Sequence, residues 1–478
     1  MAERNGSKAK SRDRLAVAVF CGIAWLPVTF VRGGYTWDDW VAAVGSREEL
    51  RGQARELGRV FPLTTEVFIA AGSIGVRIGT VLALILTGLA VLRLVERFGV
   101  LHRSELVMIS VLTAVNPLDT SKSMLSTAAY TWSLTFFFLG WALLVSRRWW
   151  VLALPLLFIS YDTSSLLFFA VLPLVDLMFF GRTWRHRAVR VRIAGLSMTV
   201  VLFAVIRFFI RTPEGSYAGY NSVGLFGLAF MFASLAAVVL LALGLLRGRD
   251  LREQFRSGGT LFSATGVVLI LIGLIPYLTD RNFPPYLSSD TRHYLLVGLG
   301  LAVTVVGVAR SLEAISAISR LRAKVTWGTL GGVLLFVWFN GFLSMQHWRF
   351  ADEVSQAVEA AEIPGGSLVV VSYEETPAIY LTRRLGPNYA NSWYVWTSIV
   401  DRERDDSVLA VFEEQYPKYL EGRFSNAYGS QRDFWGVEGF EPSTGALRLE
   451  IDSVGGFLGF FSSYEVVVSE IKVDLPRG

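Results

Sequence analysis

Cysteine, histidine and charge are all scarce in this chain. Cys21 is the only cysteine among 478 residues, which excludes a disulfide scaffold. The four histidines, His102, His186, His293 and His347, are dispersed, and no pair has zinc-site spacing. Charged residues make up 18% of the chain, against about a quarter in ordinary soluble domains. The same deficit excludes disorder, which needs high charge and few apolar groups. What fills the gap is apolar: 53% hydrophobic residues, 13% aromatic residues and a mean hydropathy of +0.46. A water-soluble chain of this composition would carry more apolar surface than it could hide.

Lysine and arginine exceed aspartate and glutamate by 45 to 40, a net of +5, which invites a nucleic-acid reading until the charges are located. Residues 1–344 hold 34 basic and 19 acidic residues, a net of +15; the last 134 residues hold 11 and 21, a net of −10. The basic part also contains the long apolar runs. About eleven stretches are candidates for bilayer spans, which need roughly 20 residues each. They are 15–31, 68–92, 105–116, 124–145, 149–160, 165–180, 193–210, 223–246, 260–278, 294–309 and 326–343. The stretches 105–116 and 149–160 fall short of that length, so they are either tilted into longer flanks or re-entrant.

With the N-terminus inside, the inward segments are 1–14, 93–104, 146–148, 181–192, 247–259 and 310–325. They hold 23 Lys and Arg, against nine in the outward loops before Ser344. This is the positive-inside asymmetry, and it explains the basic balance without nucleic acid. An odd number of spans places the acidic C-terminal region outside. The expected architecture is a polytopic α-helical membrane protein of the plasma (inner) membrane. It has a cytoplasmic tail at 1–14, a transmembrane domain at 15–344 with a long first outward loop at 32–66, and an extracytoplasmic α/β or α+β domain at 345–478. The first span has no small-x-small cleavage site and reads as a retained helix rather than a signal peptide.

The C-terminal region opens with an amphipathic pattern at 350–362, ended by Pro364-Gly365-Gly366. A short buried strand follows at Ser367–Ser372, and alternating patterns predict strands at 446–452 and 464–473. Nothing in this region has metal-ligand or nucleophile spacing, so it reads as an outer cap.

Chemistry is therefore expected in the outward loops. The first contains Gly33-Gly34-Tyr35-Thr36-Trp37-Asp38-Asp39-Trp40. Interfacial tryptophans sit at headgroup depth and would hold Asp38 and Asp39 near a lipid headgroup. An ionised aspartate there can deprotonate an acceptor hydroxyl or ligate a divalent cation such as Mg or Mn. The competing reading is that the pair caps a helix starting at Trp40. Ser46-Arg47-Glu48-Glu49 reads as a capping box. Arg59 is placed to grip a phosphate, as are Arg281 and Arg292 in the loop 279–293, which also carries His293 and Tyr294 at its end. Arg77 and Arg207 lie inside predicted spans, where charge is costly and usually faces a cavity or a partner. Arg211 starts another outward loop, and Asp119 with Lys122 occupies a short turn. Arginines suit phosphate oxygens because the guanidinium fork binds them bidentately.

The layout resembles the GT-C superfamily of multi-span glycosyltransferases. The matching features are a first span followed at once by a large loop with an acidic pair, Asp38-Asp39, and then Gly58-Arg59. A second match is Arg147-Arg148-Trp149-Trp150, an apolar run, Ser160-Tyr161-Asp162 and a further apolar run to Phe180. That hairpin is similar to one in the O-antigen glucosyltransferases. The chain departs from that group in having no arginine just after the acidic pair and no Asp-x-Asp in the first loop. The resemblance implies a polyprenyl-phosphate sugar as donor, a cell-envelope glycan, lipid or protein as acceptor, and Asp38 or Asp39 as general base. It implies phosphate binding by Arg59, Arg281 and Arg292; Arg77, Arg207 and Arg211 are further phosphate-binding candidates by residue type and position. Sugar or acceptor contacts would come from Tyr35, Trp37, Trp40, Tyr161, Asp162, His293 and Tyr294. Three other classes share the composition: a polyprenyl-linked glycan polymerase or ligase, a lipid-linked-sugar translocase, and a non-catalytic envelope-assembly protein. A polymerase would place its active loop late in the chain, and a translocase would need charged residues deep in several spans.

Overall fold

A computed structural model describes residues 2–29, 63–123, 127–146, 148–163, 165–180, 187–210, 258–278, 294–315, 321–361, 363–373, 393–400, 408–413, 445–456 and 463–471, with a few isolated positions beside them. The apolar region forms α1 (Ala2–Thr29), α2 (Leu63–Glu96), α3 (Arg103–Val115), α4 (Ala128–Leu144), α5 (Ala153–Ser160), α6 (Ser165–Phe169), α7 (Val171–Phe180), α8 (Arg187–Ile210), α9 (Gly259–Leu278), α10 (Val297–Ile315) and α11 (Leu321–Ala360). Short 3-10 turns at Thr120–Ser123 and Trp150–Leu152 precede α4 and α5.

Four helical stretches among the described residues are long and apolar enough to cross a membrane: Ile69–Glu96, Arg187–Arg207, Val297–Ala314 and Ala323–Ala360. Four shorter apolar stretches accompany them, at Ala128–Leu144, Trp150–Ser160, Leu166–Leu177 and Gly259–Leu274. The described residues thus show fewer full spans than the roughly eleven candidates, two of which were expected to be short, and the run at 223–246 lies outside them. Local backbone chemistry explains much of the shortfall. Helix α3 has 13 residues and rises about 20 Å, less than the roughly 30 Å of a hydrocarbon core. Asn116 ends it by taking a left-handed φ of 39° while its N–H donates to Leu112 O. The run 165–180 is divided at Ala170 into α6 and α7.

Helix α3 is surrounded by other helices. It packs against α1, α2, α10 and α11, and its residues from Val107 to Val115 are buried. Helix α2 bends at Gly72, whose φ of 64° and ψ of −171° leave the helical region; only glycine takes that conformation without strain. Interhelical hydroxyls join α2 to α4, where Thr87 and Thr135 lie 2.9 Å apart. Helices α9 and α10 pack most closely of all. A Cβ on Gly300 would sit 2.7 Å from Gly266 O, and one on Gly266 would strike the Thr304 backbone nitrogen. Small residues are the usual means of such close approach where solvent supplies no hydrophobic drive.

The last apolar run and the amphipathic pattern at 350–362 form one continuous helix, α11, of 40 residues. No proline or glycine stands between Ser344 and Arg349 to part them. Its C-terminal half lays Phe350, Ala351, Val354 and Val358 into a second core. That core covers a four-stranded sheet of β1 (Ser367–Tyr373), β2 (Val408–Phe412), β3 (Gly445–Val454) and β4 (Ser463–Ile471), in the order β2-β1-β3-β4. Strand β1 runs parallel to β2 and β3, while β3 and β4 are antiparallel. Parallel strands need a crossover, and α12 (Trp393–Val400) precedes β2 and packs on it. Trp396 of α12 is almost fully buried at the centre of this core.

Polar groups gather at both ends of the helical bundle. At the end away from the sheet, Arg310 donates to both carboxylate oxygens of Glu105, at 2.8 and 2.7 Å, and to Val100 O. Arg97 and the Trp141 indole both donate to Asp176 Oδ2, and Arg103 forks onto Asp13. Arg97, Arg103 and Arg310 count as topology charges in the sequence; each also closes an ion pair between helices.

Candidate functional site

The end of the bundle that carries the sheet holds the described residues with candidate chemistry. It is bounded by the start of α2, the connection from α3 to α4, the turn after α5, the start of α10 and the middle of α11.

The segment just before α2 meets the bundle here. Asp162 Oδ1 accepts hydrogen bonds from Val60 N–H at 2.7 Å and Phe61 N–H at 3.1 Å. The Phe61 ring meets Phe158 edge-on. A second tether lies just before it. Arg51 forks onto Glu66 in the first turn of α2, at 2.6 and 2.9 Å, and this hydrogen bond holds the Glu66 carboxyl below its ordinary pKa. The segment after Arg59 is therefore fixed to the turn Ser160-Tyr161-Asp162.

Sequence spacing alone underrates the connection from α3 to α4. Lys122 Nζ donates to Asp119 Oδ2 at 2.7 Å, and both side chains are buried. Ser121 Oγ donates to the other carboxylate oxygen, and Thr127 Oγ1 donates to Ser121 O. Burial lowers the Lys122 pKa, while Asp119 opposes that shift. A buried charge persists only when paired and hydrogen-bonded, and this turn supplies both conditions. Its sequence signal was an acid and a base three residues apart within a connector only a few residues long.

Arg77 stands next to this turn. Val76 packs with Leu125 and Ala128, and α11 contacts the 3-10 turn at Thr120–Ser123. The Arg77 guanidinium lies over the Trp348 ring, 4.5 Å from its centroid, a favourable cation–π arrangement. His347 is buried beside it and stacks on Phe350. On the neighbouring side, Asn116 Nδ2 donates to Tyr294 O at 2.7 Å, so Tyr294 anchors the start of α10.

The expected site residues divide as follows. Arg77, Asp162 and Tyr294 lie at this end, and so does Tyr161, which is fully buried edge-on to Phe203 as part of the helical core. Its ring is enclosed by protein rather than open to a sugar. Arg207 sits near the C-terminus of α8 and is half-buried. Asp38, Asp39, Tyr35, Trp37, Trp40, Arg59, Arg211, Arg281, Arg292 and His293 lie outside the described residues. Among the described residues, no group of three His, Cys, Asp or Glu side chains is arranged to hold a metal ion. Comparison of the chain with family models, with curated proteins and with solved structures gives no match.

Proposed function

We propose that this chain is an integral-membrane glycosyltransferase. It would move a sugar from a polyprenyl-phosphate donor to a cell-envelope glycan, lipid or protein on the outer face of the plasma membrane. In this reading the N-terminus is cytoplasmic, eleven segments traverse or enter the bilayer, and the sheet domain lies outside. The observation that carries the reading is the pair of hydrogen bonds from Val60 and Phe61 to Asp162. The two residues directly after Gly58-Arg59 contact the Ser160-Tyr161-Asp162 turn, and these are the two sequence features that separately resemble GT-C enzymes.

The proposed chemistry is displacement at the anomeric carbon. Asp38 or Asp39 takes the proton from the acceptor hydroxyl as its oxygen attacks. The bond to the polyprenyl phosphate breaks, and the departing phosphate carries the electron pair. Arg59, Arg281 and Arg292 stabilise that developing anion. Asp38 is preferred as the base because it directly follows the aromatic turn, which leaves Asp39 to cap the helix.

The test is transfer of radiolabelled sugar from polyprenyl phosphate to endogenous acceptor in membrane vesicles. Asp38→Asn or Asp39→Asn is expected to abolish transfer while expression stays normal. Full transfer by the double Asn variant refutes the role of the pair, and no transfer by wild-type vesicles across a panel of polyprenyl-linked sugars refutes the activity.

A further inference from the structure

The end of the bundle opposite the sheet has a feature that sugar transfer does not use. Residues 146–148 and 181–192 together carry seven arginines and no acid. The fold brings described residues in and beside these two segments together. Arg192 at the start of α8 donates to Leu144 O, closing α4, and lies over the Trp150 ring at 5.9 Å. One turn further along α8, Gly195 lies against Leu154 and Trp150. On the other side of the junction Arg148 stands over Trp149, 5.1 Å from its centroid. Arg148, Arg187 and Arg190 are exposed, and none of them is ion-paired among the described residues.

Exposed apolar side chains sit beside these charges. Trp149 is 48% exposed, Val151 57% and Leu152 51%, all in or beside the 3-10 turn before α5. Above the arginines, α8 continues with Met198, Val201 and Leu202 exposed. A soluble anion would satisfy the arginines alone and make no contact with these apolar groups. An acidic protein would need its own apolar face at the same height. A two-chain anionic lipid satisfies both parts at once, with a phosphate for the guanidinium forks and acyl chains for the apolar face. Tryptophan belongs at the boundary between the two, and basic pockets between helices are known to take such headgroups.

We propose that Arg148, Arg187, Arg190 and Arg192, with Trp149 and Trp150, form a binding site for an anionic glycerophospholipid in the leaflet at this end of the bundle. The site needs the chain to lie in a bilayer but is independent of the transfer chemistry, so loss of one leaves the other standing.

The test uses full-length protein in nonionic detergent, mixed with equal amounts of phosphatidylglycerol and phosphatidylcholine of matched chains and examined by native mass spectrometry. Phosphatidylglycerol adducts are expected to exceed phosphatidylcholine adducts at least about fivefold, and Arg148→Gln/Arg187→Gln/Arg190→Gln is expected to erase the difference. Equal retention of the two lipids by wild type, or selectivity unchanged in the triple variant, overturns the proposal. Displacement of the lipid by equimolar glycerol phosphate overturns it in favour of a free-phosphate site. If the triple variant aggregates, wild type alone decides the matter. Its selectivity must collapse between about 0.05 M and about 0.5 M salt, and selectivity that persists overturns a charge-based site.

Discussion

Replacing Glu105 by glutamine asks whether the end of the bundle away from the sheet is held by charge. Arg310 uses both carboxylate oxygens of Glu105, and Oε2 also accepts the His102 N–H at 2.7 Å. The Arg310 and Glu105 side chains are only 3% and 0% exposed, so neither ion can turn to water. Glu105→Gln keeps the shape and one acceptor but takes the carboxylate charge away from the buried guanidinium. Breaking a buried pair from one side costs about 3–5 kcal/mol, which is roughly two to three and a half decades in the folded-to-unfolded ratio. Glu105→Met/Arg310→Met removes both ions together, and apolar replacement of a buried pair is often neutral or stabilising. What the double variant still loses is the bond to His102 N–H and the donor to Val100 O, about 1 kcal/mol each. The assay is the fraction of protein still monodisperse in size exclusion after graded heating in detergent. The single variant is expected to fail at the lowest temperature, with the double variant close to wild type. A single variant as heat-resistant as wild type, or a double variant no better than the single, refutes the reasoning.

Three further outcomes test other parts of the molecule. Asp162→Ala leaves the Val60 and Phe61 N–H groups without their acceptor, at about 1–3 kcal/mol for each orphaned group. Hydrogen exchange at residues 60–61 is expected to accelerate at least tenfold, and sugar transfer to fall with it. Gly266→Leu forces apart α9 and α10 where a Cβ already strikes the Thr304 backbone. Overpacking of this kind costs about 1–3 kcal/mol or more, so the variant is expected to lose heat resistance, whereas Gly328→Ala, with nothing within 4 Å of its added Cβ, keeps it. In the sheet domain, burial first and Glu353 second push the Tyr464 hydroxyl up to about 12 from an ordinary 10.0. Between those values the unfolded chain releases a proton that the folded one keeps, so stability is fully present below pH 10 and is lost as pH rises toward 12. Tyr464→Phe removes this dependence, which denaturant titrations of the two proteins at a series of alkaline pH values check.

Much of the helical framework is legible in one dimension because it rests on short-range patterns. The apolar stretches, β1, and the approximate positions of β3 and β4 all follow from runs and alternations, whereas the boundary expected near Ser344 falls inside the continuous helix α11. Helix lengths do not. The end of α3 depends on the left-handed turn at Asn116, and the bend in α2 on the positive φ of Gly72. Strand β2, Val408-Leu-Ala-Val-Phe412, has no alternation to betray it, because a parallel strand covered on both faces reads as continuous apolar sequence. The same continuity in Leu368–Val371 marked β1, so the signal was present. The glycines at 259, 266 and 273, spaced by sevens and matched by 300 and 307, also foreshadowed the close α9–α10 contact.

For the candidate site, legibility was limited by sequence distance. Residue types marked Arg77, Asp162 and Asp119–Lys122, but no spacing rule joins Val60 to Asp162 across 102 residues. The same limit applies to the charges at the other end. Counting arginines one by one reads them all as topology signals, yet Arg97, Arg103 and Arg310 each have a specific carboxylate from another helix or chain segment. Setting those three aside leaves 20 inward Lys and Arg against nine outward, so the proposed orientation rests on the remaining basic residues. Seven of the remaining twenty inward basic residues lie in 146–148 and 181–192, two segments that hold no acid. Among the described residues Arg148, Arg187 and Arg190 have no ion pair and lie near exposed tryptophan and valine, an arrangement that the anionic headgroups of a bilayer would neutralise.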